Sequence, residues 1–147
     1  MQIEVKSAVK PKVKQTDFPK IIFKRIYPDM DTRKAILTYQ VSERIKSELI
    51  IASALFERMV TLEGEERVGG EKMMTSFLQA LIGEIRIAQG VEKSMNFIGA
   101  EKKMIEAIGM IERGEYSEIH PCISKALSLI TTSCHRAMTV LLERRLI

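Results

Sequence analysis

The chain has 147 residues, with 23 Lys and Arg against 19 Asp and Glu, a formal net charge of +4. That is long enough to bury a core without metals or disulfides as staples. Nine Met, 5% aromatics and no Trp argue for a helical core over a β-sandwich.

The excess charge is concentrated at the start. Residues 1–26 hold Lys6, Lys10, Lys12, Lys14, Lys20, Lys24 and Arg25 against Glu4 and Asp17, a net of +5, whereas the remainder carries 16 basic and 17 acidic side chains. Ile3 and Val5 alternate with polar residues, Val9 and Val13 alternate with lysines, and Ile21, Ile22, Phe23, Ile26 and Tyr27 form a β-branched and aromatic run. Alternation of period two predicts a strand. Pro11 cannot donate to a ladder, and lysines discourage edge pairing, so the Val9 stretch belongs at an edge or outside a sheet. Residues 1–30 therefore read as an extended or two-stranded β arm, and residues 31–147 as helical.

Asp31 is a candidate N-cap for a first helix over about residues 32–62, with Leu37, Val41, Ile45, Leu49, Ala52, Leu55 or Phe56, Met59 and Leu62 recurring every three or four positions. Three glycines, Gly64, Gly69 and Gly70, interrupt a charged stretch over 63–72, which reads as a turn or mobile loop. A second helix is expected over about 71–89, burying Phe77, Leu78, Leu81, Ile82, Ile85 and Ala88. Small residues Ser76, Ala80, Gly83 and Gly90 fall near one of its faces, which predicts a close approach, most simply by a neighbouring helix.

The third helix is expected over about 91–113, using Met95, Ile98, Met104, Ile105, Ile108 and Ile111, with Gly114 as its left-handed cap. A fourth begins between residues 117 and 121, since Pro121 is tolerated in a first turn, and buries Ile123, Leu127, Ile130, Cys134, Ala137 and Leu141. Between Glu118 and Glu143 its ionic side chains are Lys125 and Arg136, and a second stripe reads Ser124, Ser128, Thr131, His135 and Thr139. So few charges imply either cover on nearly all sides or contact with a second copy. The turn between these helices, from Ala107 to Glu118 and on through Ile123 to Leu127, is similar to hairpins of flagellar secretion chaperones and tetratricopeptide-type repeats. No second repeat follows, and the similarity assigns no function.

Catalytic and metal chemistry find little footing. The residues three before His120 and His135 are Ser117 and Thr132, not the glutamates of a di-metal bundle. Neighbours such as His120 and Cys122, or Cys134 and His135, point in different directions on a helix and make poor zinc pairs. Cys122 beside His120 near a helix start is the best nucleophile candidate, but no oxyanion-hole loop precedes it. The run from Gly64 to Lys72 lacks the Lys-Ser/Thr of a phosphate loop, and its glutamates repel phosphate. Glu112, Glu115 and Glu118 cluster where acids favour a helix dipole. No catalytic, cofactor or metal residue is assigned.

Cys122 and Cys134 lie roughly 18 Å apart on one helix and cannot pair within the chain. No charged-then-apolar leader and no 18-residue charge-free apolar run is found, so a cytoplasmic, non-membrane setting is expected. A single Asn beside many Ile and Glu resembles thermophile composition.

The expectation is a mainly α fold, an antiparallel four-helix bundle carrying the N-terminal arm, forming a homodimer or larger oligomer as a non-enzymatic interaction or scaffolding protein. Nucleic acid, or an acidic protein, is the alternative partner, with Lys6, Lys10, Lys12, Lys14, Lys24 and Arg25 contacting phosphates.

Overall fold

A computed structural model describes residues 30–147, and these are mainly helical. The β arm and its basic residues lie outside the described residues, except for Met30 at the junction. Helix α1 spans Thr32–Met59, α2 Gly64–Val91, α3 Met95–Arg113 and α4 Ile119–Glu143, with a single 3₁₀ turn at Tyr116–Glu118 before α4.

The helix starts follow capping chemistry. Asp31 has extended backbone, and its carboxylate accepts from the Lys34 amide at 2.7 Å, as the sequence predicts. Ser94 does the same for α3, accepting from the Asn96 amide at 3.1 Å, so α3 begins at Met95 and not near residue 91. Gly114 takes the left-handed conformation (φ 71°), and the amides of Gly114 and Glu115 satisfy Ile111 and Met110 carbonyls at 3.1 and 2.9 Å.

The stretch over 63–72 is a correction. It is not a loop: α2 begins at Gly64 and runs through Gly69, Gly70 and Gly90 without a break. The chain turns at Gly64, whose φ of 59° an L side chain resists. Glu65 and Glu66 then sit in the first turn, where negative charge is favoured. Arg67 reaches back to the end of α1, donating from Nε to Leu62 O at 2.8 Å and from Nη2 to Val60 O at 2.6 Å. Gly70 packs against that same end, since a Cβ there would lie 3.0 Å from Leu62 Cδ1 and 3.3 Å from Met59 Cγ.

Each helix packs on two neighbours: α1 on α2 and α4, and α3 on α2 and α4. The α1–α4 pair is antiparallel, because Thr32 meets Arg144, Glu43 meets Cys134 and Ser53 meets His120. The main core joins Ile45, Leu49 and Phe56 of α1 to Leu78 and Ile85 of α2, Phe97 and Met104 of α3, and Ile123 and Ile130 of α4. Burying each such side chain contributes about 1.5–3 kcal/mol. A second cluster, with Met30, Ala35, Ala137, Val140 and Leu141, closes one end where α1 begins and α4 finishes.

Two stripes differ from expectation. The first half of α1 buries Ala35, Thr38 and Ser42, while Leu37 faces outward; of Leu55 and Phe56, it is Phe56 that is buried. Helix α3 buries Phe97, Ala100, Met104, Ala107 and Ile111, and Met95, Ile98 and Ile105 are exposed, Met95 at 79%. In both cases small residues take part of the inner face, Ala35, Thr38 and Ser42 in α1 and Ala100 and Ala107 in α3, while some of the larger aliphatic ones face outward. Helix α4 matches its predicted stripe, with Leu127 partly buried.

Candidate functional site

The residues that sequence reasoning placed nearest to catalysis are not brought together. His120, half exposed on the first turn of α4, points to α1: Nε2 lies 3.3 Å from Ser53 Oγ and 4.0 Å from Glu57 Oε1, and Nδ1 lies 3.4 Å from Ser124 Oγ. A hydrolytic triad needs the acid on the nitrogen opposite the nucleophile, and here Ser53 and Glu57 share one nitrogen. Cys122 instead faces α3, with Sγ 3.9 Å from Glu106 Oε2 and 3.9 Å from Met110 Sδ. Burial pushes its pKa up, the opposite of what a nucleophilic thiolate requires.

Cys134 is held more firmly still. Its thiol donates to Glu43 Oε1 at 2.9 Å, and burial, reinforced by that carboxylate, pushes its pKa up to about 12. Glu43 is stabilised as a carboxylate by the same hydrogen bond and by Lys46 at 2.7 Å, which together lower its pKa. Among the described residues, no group of three or more His, Cys, Asp and Glu side chains is arranged to hold a metal.

At the bundle end opposite His120 lies a buried polar layer. Glu92, in the link between α2 and α3, is 3% exposed and pairs with Arg136 of α4 at 3.0 Å. Ser94 Oγ lies 3.5 Å from Ser133 Oγ, also across to α4. Thr38 and Ser42 of α1 are fully buried, and their hydroxyls have no hydrogen-bond partner among the described residues. Pairing of this kind fixes how the link seats on α4 but offers no open site.

The open feature is the outer face of the α1–α2 layer. On α2, Met73 is 73% exposed and Ile87 58%, while Ser76, Ala80, Gly83 and Gly90 are all at least partly exposed. On α1, Ile51 (49%) and Leu55 (44%) stand beside them. At one end of this face an apolar groove of about 470 Å³ is lined by Leu55, Met59, Leu62, Met73 and Phe77. No described helix crosses the small residues of α2, which corrects the expectation of a neighbour within the bundle. A Cβ at Gly69, Gly83 or Gly90 would meet nothing within 4 Å, yet each interior glycine costs about 1 kcal/mol of helix propensity against Ala. Packing among the described residues gives no reason for that cost.

No family model, curated protein or solved structure matches this chain. The fold and the chemistry of its surfaces carry the functional reading.

The hydroxyl stripe of α4 is likewise outside the core: Ser124, Ser128, Thr131 and His135 are exposed and Thr139 is half-buried. Cover from within the bundle therefore does not explain its lack of charge. It carries no large apolar group, whereas the α1–α2 face does, and sequence reasoning finds only the small residues of that face. Met73 and Ile87 share the small residues' seven-residue periodicity, a signal that is present in the sequence. No described helix is long and apolar enough to cross a membrane.

Proposed function

We propose that this chain is a non-enzymatic interaction or scaffolding protein that self-associates through its helices, with the N-terminal arm over residues 1–30 as a second pairing element. The observation that carries this reading is the uncharged, apolar outer stripe of α2 next to Ile51 and Leu55 of α1. A solvated helix face ordinarily carries charge, and a contiguous exposed apolar patch marks an interaction surface. Sedimentation equilibrium of the full chain tests it: a concentration-dependent dimer or larger species is expected, and a monomer throughout the micromolar range overturns it.

A second reading rests on the +5 charge of residues 1–26. Lys6, Lys10, Lys12, Lys14, Lys24 and Arg25 would neutralise phosphates of a nucleic acid, and binding would weaken steeply as salt displaces the released counterions. Filter binding at two salt concentrations, with those six residues intact and replaced by Gln, separates this role from self-association. Affinity that ignores both the salt and the substitutions removes it.

A further inference from the structure

We infer that two copies of this chain stack their α1–α2 layers face to face, with the α2 helices antiparallel about a two-fold axis midway between Ala80 and Gly83. The inference deepens the self-association reading by naming the surface, the partner and the register. Along the outer face of α2, Gly69, Ser76, Gly83 and Gly90 recur every seven residues, and Met73, Ala80 and Ile87 recur every seven between them. This is the spacing of the two seam positions of a paired helix. In antiparallel pairing, one seam position faces the other across the interface. The axis between Ala80 and Gly83 then puts Met73 opposite the second copy's Gly90, Ile87 opposite its Ser76, and Ala80 opposite its Gly83. Every level matches a larger side chain with a smaller one. A parallel pairing would set Met73 on Met73 and glycine on glycine, with crowding at one level and a void at the next.

The charges bordering the stripe fit the same arrangement. Glu84, on the α1 side of the stripe, is paired with Arg44 of α1, and Arg86, on its other side, with Glu101 of α3 at 2.7 Å, so the ionic groups that border the uncharged strip already have partners within one copy. Arg44 and Glu84 align the two helices, and the axis that relates the α2 pair also relates the α1 pair near its middle. It sets Leu37 near the second copy's Leu55, and Arg44 within a turn of its Glu48, opposite charges meeting near the centre. From Gly69 to Gly90 the helix runs about 32 Å, and two helices side by side make the face roughly 20 Å wide. That is of the order of the ~800 Å² per partner that a stable pair buries. A two-fold of this kind closes the assembly at two copies.

The test is sedimentation equilibrium of the full chain and three variants, with helical circular dichroism as the control for folding. Gly83→Arg is expected to be monomeric with an unchanged helical signal, since its Cβ meets nothing within 4 Å among the described residues. Gly90→Met is expected to weaken the dimer about tenfold or more, equivalent to roughly 1.4 kcal/mol, by setting Met against Met73. Met73→Ala combined with Gly90→Met, which exchanges the large and small positions, is expected to restore most of the affinity. A dimer untouched by Gly83→Arg moves the interface elsewhere and overturns the inference while leaving self-association standing. Loss at Gly90→Met without rescue in the double variant overturns the antiparallel register. A wild-type monomer overturns inference and reading together. If an Ala80→Cys thiol in that monomer also resists alkylation, the chain's own N-terminal segment is the occupant of the face.

Discussion

The guanidinium of Arg67 donates to the Val60 carbonyl at 2.6 Å, so the first turn of α2 caps the last turn of α1. The same side chain bonds Leu62 O, and its cation lies 5.4 Å from the centroid of the Tyr116 ring. One residue thus satisfies the carbonyl at the C-cap of α1 and another in the link that follows it. Arg67→Met keeps the aliphatic stem and removes the cap. A loss of about 1–3 kcal/mol is expected in urea unfolding, with Arg67→Lys recovering only part of it, because an ammonium cannot hold both carbonyls in the fork geometry.

Gly70 gives the α1–α2 junction its closeness. A Cβ at position 70 would stand 3.0 Å from Leu62 Cδ1 and 3.3 Å from Met59 Cγ, so Gly70→Val crowds both side chains. A destabilisation of about 1–3 kcal/mol is expected from the overpacking, read as a lower urea midpoint with an unchanged slope.

Cys134 makes stability depend on pH at the alkaline end. The folded thiol keeps its proton up to about 12, whereas its ordinary value is 9.0. Between those values the unfolded chain binds fewer protons than the folded one, so stability falls as pH rises from about 9 to 12. Cys134→Ala should flatten that decline in unfolding curves taken across the range. At neutral pH both cysteines of the native protein should alkylate far more slowly than those of the urea-unfolded chain, since both are buried with raised pKa values.

The acidic end has the opposite sign. Glu43, Glu101 and Glu106 have pKa values lowered, first by hydrogen bonds from Cys134, Gln89 and Lys103 respectively. Each contributes stability that is present above the ordinary carboxylate value of 4.5 and lost as pH falls through its depressed value. Glu101→Gln should therefore reduce the loss of stability on acidification below that point, measured by the thermal midpoint at a series of pH values.

Thr38 and Ser42 hold buried hydroxyls without partners among the described residues. Thr38→Val preserves shape and removes the unpaired oxygen, as Ser42→Ala removes the other. Each should raise stability by about 1 kcal/mol, and the two effects should add if no hidden bond links them, as a double variant would reveal.

The sequence is most legible where a single residue type has one chemical use. Asp31 as a cap, Gly114 as a left-handed terminator and Pro121 in a first turn all stand where their chemistry puts them. It is least legible where glycine has two uses. Gly64 does turn the chain, but Gly69, Gly70 and Gly90 are helical, and the breaker rule does not distinguish them until the tertiary contacts of Arg67 and Gly70 are known. The phase of α3 is hidden for a related reason: the inner face uses Ala100 and Ala107, while Ile98 and Ile105, which dominate a count of aliphatics, face out. The small residues of α2 are visible as a stripe, but only the bundle's geometry leaves them without a neighbour.

Tyr116 draws these junctions into a single mechanical unit. Its hydroxyl donates to Glu71, its ring contacts Phe56 at 6.4 Å between centroids, and Arg67 lies over its face. The end of α1, the first turns of α2 and the 3₁₀ turn before α4 therefore share one set of contacts. In native-state hydrogen exchange, amides of these three segments should open with a common free energy, rather than fraying one helix end at a time.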